Sequence, residues 1–111
     1  MKTEGYWAVC EEFALPASSA KAQTSVCMIS VIGFFYSDVM AHSRMEAVRR
    51  VQEKLKDNIR FYLACGLDMP PLYSSDTVPK NYKSKENATL IFIPLRDLGL
   101  DYLIPELKAA A

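Results

Sequence analysis

The sequence predicts an α+β fold: a three-stranded antiparallel sheet plus a fourth strand, with one long helix packed on one face, in the order β-β-β-α-β. Two observations predict this class. The first part of the chain and a segment near residue 90 are rich in β-branched and aromatic residues, whereas the central segment has apolar residues at helical spacing. One helix among four strands is typical of a two-layer sandwich.

Three strands are expected before the helix. Tyr6–Phe13 begins with aromatic and β-branched residues and predicts the first strand. The small and polar residues 14–25 predict a long hairpin loop. The apolar run that follows is too long for one strand, and Gly33 is a natural bend within it. This run therefore predicts two strands, over Val26–Ile32 and over Phe34–Met40.

The helix is predicted together with both of its ends. Ser43 and Glu46 have the spacing of a capping box, in which the hydroxyl accepts from the Glu46 amide and the carboxylate reaches back. Gly66 lies where a glycine ends a helix, and two prolines follow at positions 70 and 71. These signals predict a helix of about 22 residues. Its core-facing stripe is formed by Val48, Val51, Leu55, Ile59 and Tyr62.

The chain after the helix predicts one more strand. Residues 68–89 are rich in Pro, Ser, Lys and Asn and predict a surface connection. Thr89–Leu95 predicts a strand, and Pro94 indicates a sheet edge or a strand end. The remainder can form a turn of helix and a short tail, so we expect one domain over 1–98 and a tail over 99–111. A single helix leaves the other sheet face uncovered, which is typical of a protein with a partner or of self-association.

Composition and charge exclude several classes of protein. Half of the residues are apolar, so the chain should fold. Thirteen basic and thirteen acidic residues cancel, which removes the global charge argument for nucleic-acid binding. No segment is apolar enough to span a membrane, and the first residues lack the apolar run of a signal peptide. We therefore expect no membrane association and a cytoplasmic location.

No arrangement of reactive residues predicts an enzyme. His42 is the only histidine and is expected beside the helix cap, with Asp38 four residues away. Glu11 and Glu12 alternate along a strand, so their carboxylates should point to opposite faces. The serines outside the strands and the helix lack the glycine pattern of a nucleophile elbow: Ser18, Ser19, Ser74 and Ser75.

Metal and cofactor sites are not expected either. The glycines are too scattered to form a phosphate-binding loop, and one histidine cannot complete a metal site. Three widely spaced cysteines without a CxxC motif predict reduced, largely buried thiols: Cys10, Cys27 and Cys65. The expected sets of catalytic residues, metal ligands and cofactors are therefore empty.

Basic residues are concentrated on the predicted helix. Between Arg44 and Arg60 there are six basic and three acidic residues, and further lysines follow near residue 80. Such a face could contact phosphates. The alternative is an ordinary solvated helix face with ion pairs such as Glu46 with Arg50. The candidate basic face comprises Arg49, Arg50, Lys54, Lys56, Lys80, Lys83 and Lys85.

The segment "SRMEAVRRVQEKLKDNIRFYLACGLDMPP", residues 43–71, resembles HicB-family antitoxins. Members have a threonine or serine cap, a hydrophobic residue, glutamate and alanine, a long helix, and a Gly-x-x-Ile-Pro-type ending. Ser43 matches the cap, Glu46 and Ala47 match the Glu-Ala pair, Gly66 matches the glycine, and Met69 with Pro70 matches the Ile-Pro. "CMISVIG" is similar to the second strand of the family and "ATLIFIPLRDL" to its last strand.

The resemblance covers about 80 residues and implies a fold and a function. The implied fold is partly RNase H-like and lacks the carboxylate cluster of a nuclease. The implied function is non-enzymatic: a prokaryotic antitoxin of a toxin-antitoxin system that binds and covers a small, basic HicA-type mRNA endonuclease. The usual Pro-Asp-Leu-Pro-Gly-Cys-like turn is replaced here by "IGFFYSDVMAHS", and no DNA-binding module follows the last strand. We therefore expect no strong operator binding by this chain.

Aromatic side chains supply the candidate interface residues, because they anchor many protein interfaces. We expect a homodimer or higher homo-oligomer through the sheet face or the strand edges. Two alternatives to an antitoxin remain: a nucleic-acid-binding module that uses the basic face, and a small-molecule-binding module with a pocket on the apolar sheet face. The candidate partner interface is formed by Trp7, Phe34, Phe35 and Tyr36.

Overall fold

The computed structural model describes residues 3–14, 25–80, 82 and 86–111 of the chain. Its order of elements is the predicted α+β arrangement with additions after the helix. In chain order the elements are β1 (Glu4–Ala14), β2 (Ser25–Val31), β3 (Val39–Ala41), α1 (Arg44–Cys65), β4 (Tyr73–Ser74), β5 (Ala88–Pro94), two 3-10 turns (Leu95–Leu98 and Asp101–Leu103) and α2 (Ile104–Ala110).

The sheet is antiparallel throughout its described strands and is built around β1. β2 pairs with β1 on one side and β5 pairs with it on the other, and β3 pairs with the far side of β2. β4 pairs with Glu4 and Gly5 at the start of β1. Because Gly5 is already paired with Pro94 of β5, β4 must lie on the same side of β1 as β2. The four main strands are therefore ordered β3-β2-β1-β5.

The predicted helix is confirmed at both ends. The Ser43 hydroxyl accepts from the Glu46 amide at 3.2 Å, and Gly66 ends α1 in the left-handed conformation at φ 65°. The Glu46 carboxylate does not complete the predicted capping box, since it pairs with Arg50 Nη2 at 2.5 Å. The stripe that α1 buries against the sheet consists of Ala47, Val51, Leu55, Ile59 and Tyr62, with Val48 partly buried at its border.

The predicted strand over Phe34–Met40 is wrong. The strand covers only Val39–Ala41, and the residues before it form a tight turn. Gly33 and Tyr36 both have a positive φ, at 95° and 60°, which a β-strand cannot accommodate. The aromatic run predicts a strand, whereas the structure places it in a reversal of the chain, with Phe34 buried and the next two rings exposed.

The C-terminal part contributes more structure than the predicted helical turn and short tail. Two 3-10 turns lead into α2, and the amide of Met69 donates to the carbonyl of Ala110 at 3.0 Å. Lys108 Nζ pairs with Glu4 Oε1 at 2.7 Å, which connects α2 to the start of β1. Four leucines of this part belong to the same buried core as β1 and α1: Leu95, Leu98, Leu100 and Leu107.

The two faces of the sheet have different surroundings. Alternate residues of β1, such as Tyr6 and Ala8, are fully buried on the face that α1 covers. The other face, called here the second face, carries Trp7 and Val9; among the described residues the segment Tyr73–Lys80 covers part of it. Within the described ranges no helix combines the length and the apolar composition that crossing a membrane requires.

Candidate interaction surfaces

The turn between β2 and β3 is held by buried side chains. Phe34 is only 7% exposed, and its ring contacts Tyr6 edge-on with centroids 4.9 Å apart and Tyr62 at 5.2 Å. The Ser37 side chain is fully buried; its hydroxyl accepts from the Val31 amide at 3.0 Å and is 3.2 Å from the Phe34 carbonyl oxygen. These contacts fix the backbone conformation of the turn.

The same turn exposes its other two aromatic side chains. Phe35 is 77% exposed and Tyr36 is 89% exposed, although both are large and apolar. On α1 and just after it, Phe61 (59%) and Leu67 (43%) are exposed beside them. These four residues, called here the aromatic patch, surround a recess of about 300 Å³ whose remaining lining is Asn58 and Tyr62.

Asn58 lines this recess and carries a side-chain amide that is buried. Its Nδ2 atom is buried and has no hydrogen-bond partner among the described residues. In contrast, the Tyr62 hydroxyl at the same recess accepts from the Phe35 amide at 3.3 Å. A buried amide donor without a partner costs about 1–3 kcal/mol of stability.

Trp7 does not belong to the aromatic patch. It lies on the second face of the sheet, where its ring packs against Phe92 with centroids 5.0 Å apart. Its indole Nε1 donates to the Thr77 carbonyl at 2.7 Å. Of the four predicted interface residues, the structure therefore groups Phe35 with Tyr36, places Phe34 in the core beneath them, and places Trp7 on another surface.

A larger pocket lies on the second face, beneath the segment that follows β4. Its volume is about 800 Å³ and it is open to solvent on one side. The Ser74 hydroxyl is bonded to Asp76 and to Thr77, which shapes the turn above it. The lining residues are Val9, Glu11, Ser30, Ile32, Tyr73, Thr77, Val78, Pro79, Lys80 and Tyr82.

Two of the predicted basic residues bind backbone carbonyls of the protein itself. Arg50 pairs with Glu46 and donates through Nη1 to the Met40 carbonyl at 2.9 Å. Lys54 Nζ donates to the Asp38 carbonyl at 3.2 Å. Both side chains are therefore oriented toward the edge of β3, and the Glu46–Arg50 pair is the one that the sequence predicts.

The remaining candidate basic residues do not form one surface. Lys56 lies 3.7 Å from Glu53 as an i, i+3 pair, and Arg49 is exposed. Lys80 lines the pocket on the second face, whereas α1 covers the opposite face. Two members lie outside the described residues: Lys83 and Lys85.

The two adjacent glutamates have separate environments, as the strand alternation predicts. Glu12 accepts from Arg44 Nη2 at 2.7 Å, beside the start of α1. Glu11 lines the pocket on the second face. The hydrogen bond between Arg44 and Glu12 raises the pKa of the Arg44 guanidinium above its ordinary value, so this group stays charged.

All three cysteines are free thiols, as predicted. Cys10 and Cys27 are buried, whereas Cys65 is exposed near the end of α1. Burial and the neighbouring Cys27 raise the pKa of the Cys10 thiol, which keeps it protonated and unreactive. Within the described ranges no group of three or more His, Cys, Asp and Glu side chains is placed to hold a metal ion. Ser18 and Ser19 fall outside those ranges.

Sequence analysis did not identify Phe61, Leu67 and Asn58 as site residues. Phe61 was recognisable, because it lies outside the apolar stripe of the predicted helix and an aromatic ring on the solvated side is unusual. Leu67 follows the helix-ending glycine and gave no such signal. The missing partner of Asn58 depends on residues distant in sequence, so no local pattern indicates it.

Comparison of the chain with protein-family models, with curated proteins and with solved structures gave no significant match. A functional proposal therefore depends on two things. One is the geometry of the aromatic patch and of the pocket on the second face. The other is the resemblance of residues 43–71 to HicB-family antitoxins.

Proposed function

We propose that this chain is a non-enzymatic, HicB-like antitoxin that binds a small, basic HicA-type mRNA endonuclease and covers its catalytic residue. The observation that carries the proposal is the aromatic patch. A protein that acts by covering another needs a rigid surface with exposed anchor residues, and it needs no reactive group of its own. The aromatic patch offers exposed anchor residues on a held turn. It adjoins α1, whose sequence resembles the helix of HicB-family antitoxins.

The side chains of the patch are suited to act as binding anchors. Phe35 and Tyr36 project from a turn whose backbone is held by the buried Ser37, so little conformational entropy is lost when a partner binds. Interface aromatics of this kind are often residues whose truncation costs 2 kcal/mol or more, which is a loss of about 30-fold in affinity.

Co-expression with the neighbouring gene tests the proposal, if that gene encodes a small basic protein. We expect a stoichiometric complex in size-exclusion chromatography with light scattering. Tyr36→Ala and Phe35→Ala should each weaken the complex by about 30-fold, because they remove an anchor without touching the core. Tyr102→Ala is the matched control, since Tyr102 is also highly exposed but lies outside the patch and should leave binding unchanged.

Two outcomes would contradict this proposal. One is the absence of complex formation with the neighbouring protein or of any such neighbour. The other is a complex that tolerates both patch variants as well as it tolerates Tyr102→Ala, because another surface would then carry the binding.

The pocket on the second face favours a second candidate, a small-molecule-binding module. A volume of about 800 Å³ is in the range of ligand sites, and aromatic and apolar residues line most of it. A ligand-dependent rise in melting temperature, lost in Val9→Trp, would favour this candidate. For a nucleic-acid-binding module no comparable observation exists, since Arg50 and Lys54 already bind backbone carbonyls of β3 and of the turn before it.

A further inference from the structure

Among the described residues, none pairs with the outer edge of β5. β5 pairs with β1 on one side only, and the carbonyl of Asn87 accepts from the Glu12 amide at 3.1 Å. Because backbone groups alternate along a strand, the residues that turn toward β1 after Asn87 are Thr89, Ile91 and Ile93. The N–H groups that point the other way belong to Ala88, Leu90 and Phe92. No described residue accepts a hydrogen bond from them.

The opposite edge of the sheet is protected, whereas β5 is not. β3 is only three residues long, Arg50 donates to its Met40 carbonyl, and Lys54 donates to the carbonyl of Asp38 just before it. Short edge strands and cations of this kind prevent pairing with other chains. β5 spans seven residues without a single charge, and it has one proline, at its last position. Within the part of the chain that the structure describes, the outer edge of β5 is therefore available for pairing.

We propose that β5 pairs with β5 of a second copy of this chain, antiparallel about a two-fold axis, with Leu90 opposite Phe92 of the other copy. In this register Leu90 of one copy and Phe92 of the other exchange two backbone hydrogen bonds. The two-fold axis generates a second such pair of bonds, between Phe92 of the first copy and Leu90 of the second. Ala88 lies opposite Pro94 of the other copy. The Pro94 carbonyl can accept from the Ala88 amide, and no bond is expected in return because a proline has no N–H. The two sheets join into one.

The charged residues that flank β5 support a second copy as the occupant of this edge. The register that places Leu90 opposite Phe92 also brings Glu86, before the strand, to the same end as Arg96, after the strand of the other copy. Both side chains are exposed, and symmetry forms the pair twice. The chain has no net charge to oppose association.

The side chains of β5 add apolar contact to the backbone pairing. Leu90 and Phe92 are half-buried on the second face, where Phe92 already packs against Trp7. Pairing would place Leu90 of one copy beside Phe92 of the other, and cross-strand contacts between aromatic and aliphatic side chains stabilise antiparallel pairs. Ile91 would lie opposite Ile91 of the second copy on the face that α1 covers.

This inference is independent of the proposed toxin binding. The aromatic patch is built on the turn between β2 and β3 and on α1, so pairing at β5 would leave it open in both copies. A dimer without toxin binding, or a monomer that binds toxin, would separate the two proposals.

Light scattering on the purified full chain is the first test. The expected mass is twice the 12.5 kDa of one chain. Leu90→Pro removes an N–H that points away from β1 and places a ring on the outer edge, so it should halve the mass and leave the circular dichroism spectrum unchanged. Leu90→Ala keeps the N–H and should remain a dimer.

A cysteine at position 91 tests the register of the two β5 strands without the change in backbone that Leu90→Pro introduces. In a Cys65→Ser background, which removes the exposed thiol, Ile91→Cys should form a disulfide with its copy on mild oxidation. Position 91 would be a non-hydrogen-bonded pair across the two-fold axis, with Cα atoms about 4.5 Å apart, which a disulfide can bridge. Thr89→Cys on the same face is the matched control, made together with Cys10→Ala because Cys10 lies directly across from position 89 in β1. It should not crosslink, because its copy would lie four residues away along the strand.

Three results would overturn the inference. The first is a wild-type chain that stays monomeric over the whole accessible concentration range. The second is a folded Leu90→Pro variant that keeps the dimer mass. The third is crosslinking at position 89 in place of position 91, which would exclude the proposed register.

Discussion

Tyr36 combines an unfavourable backbone conformation with an exposed side chain. Its φ of 60° lies in the left-handed region, which costs a residue with a Cβ about 1 kcal/mol, yet its ring contributes little to the core. The buried Ser37 next to it holds the turn by hydrogen bonds to Val31 and Phe34. Since packing does not account for a tyrosine at this position, presentation of the ring to a partner is the simplest physical reason.

Tyr36→Gly should separate stability from binding. Glycine adopts a positive φ without a steric cost, so we expect the free energy of unfolding to rise by about 0.5–1 kcal/mol. Binding of the proposed partner should fall, because the exposed ring is lost. Urea unfolding measures the first effect and titration of the partner the second.

Phe35→Gly is the control for this substitution, because Phe35 has no positive φ and glycine there should lower stability. A Tyr36→Gly variant that is less stable than the wild-type chain would show that the tyrosine ring stabilises the turn. The assignment of Tyr36 to binding would then lose its basis.

At the scale of elements, α1 is specified by residues within and next to it. Ser43 begins the helix, Gly66 ends it, and the apolar stripe between them matches the sheet surface. The carboxylate of Glu46 pairs with Arg50, so the hydroxyl of Ser43 alone carries the side-chain cap. The stability of this end of α1 should therefore depend on one hydrogen bond.

Ser43→Ala should lower the free energy of unfolding by about 1 kcal/mol, since it leaves the Glu46 amide without its acceptor. Chemical unfolding followed by circular dichroism measures this change. Ser43→Asp keeps an acceptor at the same place and should retain most of the stability. Ser75→Ala is the control, because Ser75 is exposed and its backbone amide is the group that donates to the Thr3 carbonyl. Equal stability of Ser43→Ala and Ser75→Ala would contradict the role of the cap.

The strands β1, β3 and β5 differ in their positions in the sheet and in how their edges are covered. β1 lies at the centre and pairs with β2, β4 and β5, so its alternate residues supply both faces of the sheet. β3 is short and protected by cations from α1. β5 is longer and uncharged, and its free edge offers the site for a second copy.

At the scale of the whole molecule, burial changes the pKa of two core side chains of β1, Tyr6 and Cys10. Burial raises the pKa of the Tyr6 hydroxyl, which also donates to the Pro70 carbonyl at 3.3 Å. Burial and the neighbouring Cys27 likewise raise the pKa of Cys10. The folded state therefore favours the protonated form of both groups.

Stability should decrease at alkaline pH. In the unfolded chain Cys10 and Tyr6 lose their protons near their ordinary pKa values of 9.0 and 10.0. Because both pKa values are raised in the folded state, the unfolded state binds fewer protons over this pH range, and the free energy of unfolding falls as pH rises. Below about pH 8 both groups are protonated in both states and should contribute no pH dependence.

Urea unfolding between about pH 8 and pH 11 measures this fall. Tyr6→Phe removes one of the two groups, so its stability should fall less steeply above pH 10 than that of the wild-type chain. Tyr102→Phe changes an exposed tyrosine and should keep the wild-type slope. Identical slopes for Tyr6→Phe and the wild-type chain would mean that Tyr6 does not contribute.

The candidate site was partly predictable from the sequence. The aromatic run drew attention to Phe35 and Tyr36, and the structure exposes both of them. The same run also contains Phe34, which is core, and no local pattern distinguishes the three rings. Their directions depend on the conformation of the turn, and this conformation depends on Ser37 and on contacts with Tyr6 and Tyr62.

The sequence by itself determined the α+β class, the positions of β1, β2 and β5, and both ends of α1, because caps, periodicity and β-branched runs act over a few neighbouring residues. The tertiary structure decided the reversal at residues 33–38, the docking of the C-terminal leucines and the engagement of Arg50 and Lys54 with the edge of β3. It also decided which strand edge stays open. Each of these features depends on groups that are far apart along the chain and meet only when the core forms.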